Sequence, residues 1–393
     1  MIRGIANAQV LLPEGFARGG IRFAGERIDS VSTAEDGPDM FDARGLMAVP
    51  GFVDLHVHGG GGACVMSGRA QEVVRMANAH ARFGTTTILP TAWTAPVAAI
   101  RQAVEAVRDA RSMPCDATIA GIFLEGPFLS PAQAGAQKPE DLLLPSMQAW
   151  RAMTGGTDVV RMVGMAPELP GALELAQTLA RQGLVVSVAH SDADEEQMRQ
   201  AAEHGFSDVT HLYSGCSTFT RRGGFRVPGV VESALVMDDM TVQVIGDLKH
   251  LPTTMVQLTY RCKGPERMYL VTDGLELSAT DVPEGTVCRQ ANGVMAVCED
   301  GVMKLMNRQA FAGSVATMDR VVRGAVASGI PLRDALRMAS ATPAKRIGLG
   351  GVKGSLTPGY DADVVLLDDR LTVAACFSRG RLIFSQWERN VSC

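Results

Sequence analysis

The sequence predicts an α/β fold: a (β/α)8 TIM-type barrel with a small β-sandwich domain formed by both chain termini. Apolar runs that are typical of buried strands alternate with stretches of helical periodicity, which favours parallel strands joined by crossover helices. Eight such units follow one another along the chain. Both ends of the chain differ, because they contain short alternating segments that turn residues interrupt.

The eight candidate strands begin with FVDLHV at Phe52 and end with MYLVTD at Met268. Between them lie TTTILP, TIAGIFLE, VVRMVG, LVVSVA, DVTHL and TVQVIG, which begin at residues 85, 118, 159, 184, 208 and 241. Helical patterns such as AQEVVRMANAHARFG and ALELAQTLARQG separate most of these strands, and the second pattern ends at Gly183. We therefore place the barrel at residues 50–349.

The terminal segments predict a second unit that combines residues 1–49 and 350–393. AQVLLPEG and GIRFAGERIDSVS lie near one end, and ADVVLLDDR and AACFSRGRLIF lie near the other. Each is typical of antiparallel strands that could pair with the others. Within the barrel region a β-hairpin insertion is predicted around 285–310, because the pair Asn292-Gly293 favours a two-residue turn.

Composition limits the class of protein. A chain of 393 residues with 46% hydrophobic and 20% charged residues is typical of a globular protein. The net charge of -5 argues against nucleic acid as a partner. No apolar run approaches the length of a membrane span, and no export signal is recognised. The eight cysteines form no CxxC pair, so we expect reduced thiols and a cytoplasmic location.

The stretch VDLHVHGG places His56 and His58 two residues apart in an apolar strand. Side chains alternate along a strand, so both imidazoles point the same way and need polar partners or a ligand. In a barrel the C-terminal ends of the strands meet at one mouth, where active sites are built. Four more polar residues lie at or just beyond such ends: Glu125, His190, His211 and Asp273.

Imidazole and carboxylate groups together suit Zn²⁺, Fe²⁺ or similar ions. A metal with open positions generates hydroxide near neutral pH, and an aspartate beside that water can pass its proton to a leaving amine. Each of these residues taken singly is also compatible with a structural role, but six at the same ends of their strands predict a metal site. His80 lies in a helical pattern and His204 near a helix end, so both are assigned structural roles.

Several stretches match one known family in order and spacing: PGFVDLHVHG, LEGPFLSPAQAGAQ, MVGMAPE, VAHSDA, THLYSG, RVPGVV, GDLKH, LVTDG, FAGS and GSLTPGYDADVVLLD. An HxH pair alone is shared by many amidohydrolases, whereas LEGPF combined with THLY and FAGS is specific to one deacetylase group. On these motifs the chain resembles the N-acetylglucosamine-6-phosphate deacetylase family of the amidohydrolase superfamily over essentially its whole length.

The resemblance implies a divalent metal centre of one or two ions, with Zn²⁺ or Fe²⁺ expected. The ligands of one ion would be Glu125, His190 and His211. The second site would be formed by His56, His58, Glu125 and Asp273. Some family members lose one histidine of the HxH pair and use one metal, so the number of ions stays open.

The resemblance also implies which residues act on the substrate. Asp273 would be the general base, and His250 in DLKH would contact the substrate and help to stabilise the developing oxyanion. A loop hydrogen bond to a backbone carbonyl is the alternative role for His250. Ser214-Gly215 stands where the family usually has an Asn-Ala pair near the sugar phosphate, and Arg226 stands at the position of a phosphate-binding arginine.

The substrate side departs from the family pattern. The loop STFTRRGGFRVPG is several residues longer than usual, and Asp247-Leu248 replaces the usual DG pair. Arg221 and Arg222 add positive charge, which favours an anionic substrate. Arginines on a solvated loop are the alternative interpretation.

We therefore expect a homodimeric deacetylase of an N-acetyl amino-sugar phosphate, with N-acetylglucosamine-6-phosphate first and glucosamine-6-phosphate and acetate as products. Two alternatives remain within the superfamily: N-acetylgalactosamine-6-phosphate or an N-acyl amino acid as substrate. A non-catalytic protein with an amidohydrolase fold is a further alternative. The presence of every candidate ligand and of the base argues against it.

Overall fold

The computed structural model describes residues 2–33, 37, 39–290 and 293–387. Asn292 of the predicted turn lies outside the described residues. The last residues of the predicted terminal domain, 388–393, lie outside them as well. Parallel strands pair with one another in chain order. The ring closes between its first and last strands, where Asp273 N donates to His56 O and His58 N donates to Gly274 O, each at 2.8 Å. The predicted (β/α)8 barrel is confirmed.

All eight segments predicted as barrel strands form strands. The sixth begins earlier than predicted, because buried Phe206 continues its extended backbone, and it ends before His211, whose φ of 25° leaves the extended region. The eight barrel strands are Phe52–Val57, Thr85–Ala92, Thr118–Ile119 with Ile122–Glu125, Val160–Met165, Val185–Val188, Phe206–Val209, Thr241–Ile245 and Met268–Val271.

Helices surround the barrel and bury their apolar faces against it. Helix Ala172–Arg181 ends as predicted, since Gly183 adopts the left-handed φ of 86° that terminates helices. Within the described residues, no helix combines the length and the hydropathy that crossing a membrane requires. The α-helices of the described residues are Ala70–Ala81, Val97–Ala110, Met147–Thr154, Ala172–Arg181, Glu195–Glu203, Val230–Val236, Thr253–Arg267, Met318–Ala327, Leu332–Met338 and Ala341–Arg346.

Strands from both ends of the chain form one sheet beside the barrel. Met47–Pro50 pairs antiparallel with Val364–Leu367, which joins the two ends. The sheet folds over a core of its own in which the Phe23 and Phe377 rings lie 5.8 Å apart. We propose that this unit is the domain formed by 1–49 and 350–393. Its strands are Gly4–Leu12, Gly15–Ala24, Arg27–Ser32, Met40–Asp42, Met47–Pro50, Val364–Leu367, Val373–Ser378 and Arg381–Ser385.

Among the described residues, three smaller β elements lie outside these two sheets. Gly59–Gly60 pairs with Ala63–Cys64 directly after the first barrel strand, and Thr220–Arg222 pairs with Phe225–Val227 in an exposed hairpin. The insertion after the eighth barrel strand is a four-stranded antiparallel sheet, and Ser314 at its end bridges to Gly274 at the barrel mouth. The strands of the insertion are Val287–Arg289, Met295–Glu299, Val302–Leu305 and Phe311–Gly313.

Candidate active site

Glu125, at the end of the third barrel strand, stands at the centre of the polar residues at the barrel mouth. Its Oε1 atom lies 2.7 Å from His211 Nε2 and 3.1 Å from His190 Nε2. The same atom lies 3.8 Å from His56 Nε2. Glu125 and the three histidines are buried. Ligand atoms of His56, Glu125 and His211 all lie within 4.8 Å of one another, as in a metal centre.

Asp273 lies close to the two histidines of the HxH pair, and the three side chains form a second group. Its Oδ1 atom lies 3.1 Å from His58 Nε2 and 3.4 Å from His56 Nε2. The Nε2 atoms of His56 and His58 face each other at 3.2 Å. These three residues also meet the spacing of a metal-binding group. All six residues predicted as metal ligands are therefore brought together.

Three of these residues have an unusual backbone conformation, each two positions after the end of a barrel strand. The φ angles of His190, His211 and Asp273 are 44°, 25° and 50°. Residues other than glycine rarely adopt positive φ, and such a conformation costs about 1–3 kcal/mol each. The strain turns the chain sharply at the strand end and aims each side chain inward. Clustering of such residues is typical of functional sites.

The donor set fits a metal cation. His58 Nδ1 contacts the Thr91 carbonyl oxygen and His190 Nδ1 contacts the Gln133 carbonyl oxygen, each at 2.8 Å. A carbonyl only accepts hydrogen bonds, so each Nδ1 carries a proton, and in the neutral form of each ring the lone pair of Nε2 faces the site. Lone pairs that face carboxylates repel them unless a positive charge lies between. In the metal-free protein a second ring proton, as on His56, supplies that charge, and a divalent cation can replace it.

The family assignment follows from comparison with known proteins. The sequence profile of the Amidohydrolase family matches residues 47–390, which include every residue of the two groups. The chain belongs to the amidohydrolase family. The family resemblance inferred from the sequence motifs is thereby confirmed.

Similar amidohydrolases carry names that specify sugar-phosphate substrates. The N-acetylglucosamine-6-phosphate deacetylase of Lysinibacillus sphaericus is 31% identical over 88% of this chain and 88% of that protein. The N-acetylgalactosamine-6-phosphate deacetylase of Escherichia coli O157:H7 is 33% identical over 85% of this chain and 86% of that protein. A mutant Mycobacterium smegmatis N-acetyl-D-glucosamine-6-phosphate deacetylase, solved with N-acetyl-D-glucosamine-6-phosphate, superposes with a TM-score of 0.89 at 31% identity, covering 98% of this chain and 100% of that one.

Neighbouring charges at this site shift the pKa of His56 upwards and the pKa values of Glu125 and Asp273 downwards. Burial lowers the pKa of His56, but the charges of Glu125 and Asp273 outweigh burial and raise it to about 9. Burial raises the pKa of Asp273, but the hydrogen bond from His58 and the charges of both histidines lower it to about 2. The pKa of Glu125 falls well below its usual value, because the charge of His56 and the hydrogen bonds from His190 and His211 outweigh its burial. The carboxylates therefore form a negative centre at neutral pH.

Metal binding to the metal-free protein is expected to release about one proton per chain at pH 7. His56 with a pKa of about 9 is protonated at that pH, and a cation must displace this proton. Affinity should rise with pH up to about 9 and then level off. Calorimetric titration with Zn²⁺ in two buffers of different ionisation enthalpy measures the release. His56→Asn is the matched control and should release less. A heat that is independent of the buffer would contradict the prediction.

The predicted substrate residues Ser214, Gly215 and His250 line one cavity with a volume of about 210 Å³. Five of the six predicted metal ligands line it as well: His58, Glu125, His190, His211 and Asp273. His250 Nδ1 contacts Asp247 Oδ2 at 2.9 Å. Burial raises the pKa of Asp247, but the hydrogen bond and charge of His250 have the larger effect and hold it below its usual value. The carboxylate therefore accepts from Nδ1, which leaves Nε2 of His250 available to a substrate. The Phe311 ring packs on His250 with centroids 4.9 Å apart.

Gly215 differs from the alanine that the family usually has, and the structure gives a reason. Its φ is 57°, and a Cβ atom there would lie 2.5 Å from His190 Nδ1. The His190 ring therefore rests directly against the backbone of this residue. The replacement of alanine by glycine allows the close approach of ring and backbone.

Arg226 lies apart from the cavity, on the hairpin formed by Thr220–Arg222 and Phe225–Val227. It is exposed and is not among the residues that line the cavity. Its Nη1 atom donates to the Gly224 carbonyl oxygen at 3.5 Å, whereas Arg222 forms an ion pair with Asp194 at 2.9 Å. A phosphate-binding role for Arg226 stays a prediction.

The two histidines with predicted structural roles lie outside the metal groups. His80 Nε2 contacts the Gly59 carbonyl oxygen at 2.9 Å and supports the turn after the HxH pair. His204 Nδ1 contacts the Gln200 carbonyl oxygen at 2.7 Å at the end of its helix. Both rings satisfy backbone groups, as predicted.

Sequence reasoning missed several residues whose side chains contact the proposed metal ligands, among them Gln137, Trp93 and Gln243. Gln137 Nε2 donates to Glu125 Oε2 at 3.1 Å, and the Trp93 ring packs on His58 with centroids 5.3 Å apart. Gln243 Oε1 contacts His56 Nδ1 at 2.9 Å. Gln243 could have been found, because it is the one strongly polar residue in the predicted strand TVQVIG. Gln137 and Trp93 lie in loops whose path no periodicity predicts.

Proposed function

We propose that this amidohydrolase removes the acetyl group of an N-acetyl amino-sugar phosphate, with N-acetylglucosamine-6-phosphate first and glucosamine-6-phosphate and acetate as products. The convergence of four imidazoles and two carboxylates at one barrel mouth carries the proposal. Ser214, Gly215 and His250 line the same cavity and are the proposed substrate contacts. The names of the similar proteins support the substrate class.

The proposed cofactor is one or two divalent cations, with Zn²⁺ or Fe²⁺ preferred for this donor set. When bound, the cation acidifies a water molecule and polarises the acetyl carbonyl. The proposed ligands of the first ion are Glu125, His190 and His211. The proposed ligands of the second ion are His56, His58, Glu125 and Asp273.

Asp273 is the proposed general base and His250 the proposed oxyanion partner. The pKa of about 2 leaves Asp273 ionised at neutral pH and ready to accept a proton from the attacking water. An acid formed with so low a pKa gives up that proton readily, which suits its transfer to the leaving amine. Nε2 of His250 is the proposed contact of the carbonyl oxygen. In the doubly protonated ring, whose Nδ1–H the Asp247 carboxylate accepts, Nε2–H would donate to that oxygen as charge develops on it.

The test is kcat/KM of metal-loaded protein on N-acetylglucosamine-6-phosphate, N-acetylgalactosamine-6-phosphate and unphosphorylated N-acetylglucosamine. Release of free amine is followed, and metal content is measured on the same sample. A rate that clearly favours one phosphorylated sugar supports the proposal and identifies the hexosamine. Negligible rates on all three with metal bound would reject the substrate class and turn the search to other N-acyl compounds.

Replacing Arg226 by alanine is expected to raise KM for the phosphorylated sugar on the order of 10- to 100-fold, with KM for the unphosphorylated sugar unchanged. The planar guanidinium forms paired hydrogen bonds to phosphate that alanine cannot form. Steady-state kinetics on both sugars measure the difference. Arg221→Ala is the matched control, since Arg221 stands opposite Arg226 in the hairpin. Equal effects on both sugars would remove the phosphate role.

We propose that the protein is a homodimer and that the hairpin with Arg226 lies at its interface. Phe219 and Phe225 expose 56% and 79% of their surface on or beside this hairpin, an apolar area that a second copy could cover. Sedimentation of the wild type and of Phe225→Asp tests the interface. A wild type that sediments as a monomer would reject it.

We propose a cytoplasmic location. The described cysteines are free, and burial raises the pKa of the Cys64, Cys216 and Cys376 thiols, which keeps them unreactive. Free thiols are typical of a reducing compartment.

A further inference from the structure

A buried polar chain leads from the metal centre into the barrel interior. Gln243, on the seventh barrel strand, places its side-chain amide between His56 and Asp208, and all three residues are fully buried. Its Oε1 atom lies 2.9 Å from His56 Nδ1, and its Nε2 atom lies 3.0 Å from Asp208 Oδ2. The amide is therefore the link between a proposed metal ligand and a carboxylate that lies outside the metal groups.

Asp208 is surrounded by groups that can donate hydrogen bonds. Ser187 Oγ lies 2.9 Å from Asp208 Oδ2, and the Tyr269 hydroxyl lies 3.0 Å from Oδ1. Thr241 Oγ1 donates to Oδ1 as well. The Arg346 guanidinium lies 3.9 Å away and offers a positive charge. In its ionised form Asp208 only accepts hydrogen bonds, and the Arg346 charge and the donors around it favour that form against its burial, which raises its pKa.

The acceptor character of Asp208 decides which way the Gln243 amide points. Only the NH₂ end can donate to a carboxylate, so the carbonyl end faces His56. That oxygen accepts a hydrogen bond, so the proton of the His56 ring lies on Nδ1. Once a cation has displaced the second ring proton, the lone pair lies on Nε2, which points at His58, Glu125 and Asp273.

We infer that Gln243 and Asp208 are positioning residues that hold His56 in the Nδ1–H tautomer and so set the metal affinity of the group His56–His58–Asp273. His58 and His190 obtain the same tautomer from backbone carbonyls, whereas His56 depends on two side chains. The inference rests on the proposed metal-dependent function. The hydrogen bonds that run from Asp208 through the Gln243 amide fix the position of the ring proton of His56.

Gln243→Met tests the inference, because methionine keeps the length of the side chain and removes both hydrogen bonds. Zn²⁺ affinity is measured by competition with a chelator, and zinc content by elemental analysis after dialysis. We expect the wild type to hold a zinc ion that depends on His58, and Gln243→Met to bind this ion 10- to 100-fold more weakly. Gln257→Met is the matched control, since it makes the same change at a helix residue whose amide donates to the Ser328 carbonyl oxygen, away from the site; it should bind zinc as the wild type does.

A second measurement does not depend on the folding of a variant. In the zinc-loaded wild type, long-range ¹H–¹⁵N NMR should place the His56 ring proton on Nδ1, and a proton on Nε2 would overturn the inference. Zinc affinity of folded Gln243→Met equal to that of the wild type would overturn it as well. A wild type that binds zinc only at Glu125, His190 and His211 would overturn it while leaving the deacetylase proposal intact. A wild type that binds zinc with the expected tautomer but lacks deacetylase activity would reject the proposed function alone.

Discussion

Replacing Asp273 by asparagine is expected to lower kcat on the phosphorylated sugar on the order of 10³-fold, with KM little changed. Asparagine keeps the size of the side chain, but it cannot accept a proton from water or return one to the amine. The low pKa of Asp273 means that the wild-type group is in its basic form throughout the neutral range. Stopped-time assays of amine release on metal-loaded protein measure the loss.

The control for this variant must separate lost proton transfer from lost metal, since Asp273 also belongs to a metal-binding group. Metal content is therefore measured on the same sample, and only metal-loaded protein is compared. Asp281→Asn, on an exposed side chain nearby in the sequence, should leave kcat unchanged. Turnover of Asp273→Asn at the wild-type rate, with metal bound, would show that another group is the base.

Replacing Glu125 by glutamine is expected to lower metal content to a small fraction of one ion per chain and kcat/KM by at least about 10³-fold. Glu125 contacts His190 and His211 through one oxygen and His58, at 3.4 Å, through the other. Glutamine removes the negative charge at the centre of the group, and its NH₂ end cannot bind a cation. Elemental analysis after gel filtration and steady-state kinetics measure both losses.

Circular dichroism accompanies this variant, because loss of a buried charge also changes stability. The far-ultraviolet spectrum should match that of the wild type. Glu140→Gln is the matched control, since it makes the same change on an exposed turn that follows the third barrel strand. A Glu125→Gln protein that keeps its metal and its activity would contradict the ligand assignment.

Much of the fold and of the metal centre could be predicted from sequence, because both depend on periodicity. Buried strands and helices have distinct apolar patterns, and the ends of parallel strands must meet. His56, His58 and Glu125 could be placed together by this argument before any distance was known. Contacts that depend on loop conformation could not be predicted. The path of the loop that carries Gln137, and the exposed position of Arg226 on its hairpin, follow from turn geometry that leaves no periodic pattern.

The insertion and the barrel interior both contain contacts that periodicity does not predict. The turn signal around Gly293 predicted a hairpin, and Val287–Arg289 pairs antiparallel with Met295–Glu299. Two further strands, Val302–Leu305 and Phe311–Gly313, extend the pair to a four-stranded sheet that leads back to the barrel mouth. Gln243 was visible as a polar residue in an apolar strand. Its partners Asp208 and His56 lie on other strands, and the register that brings them together is a property of the closed barrel.

The pairing of Met47–Pro50 with Val364–Leu367 has a consequence for protein synthesis. Met47–Pro50 runs directly into the barrel strand that carries His56 and His58. Its partner strand leaves the ribosome only after the whole barrel has been translated, and such distant pairings form slowly. A nascent chain released early therefore keeps an open strand edge beside its HxH strand and is exposed to proteases and to aggregation.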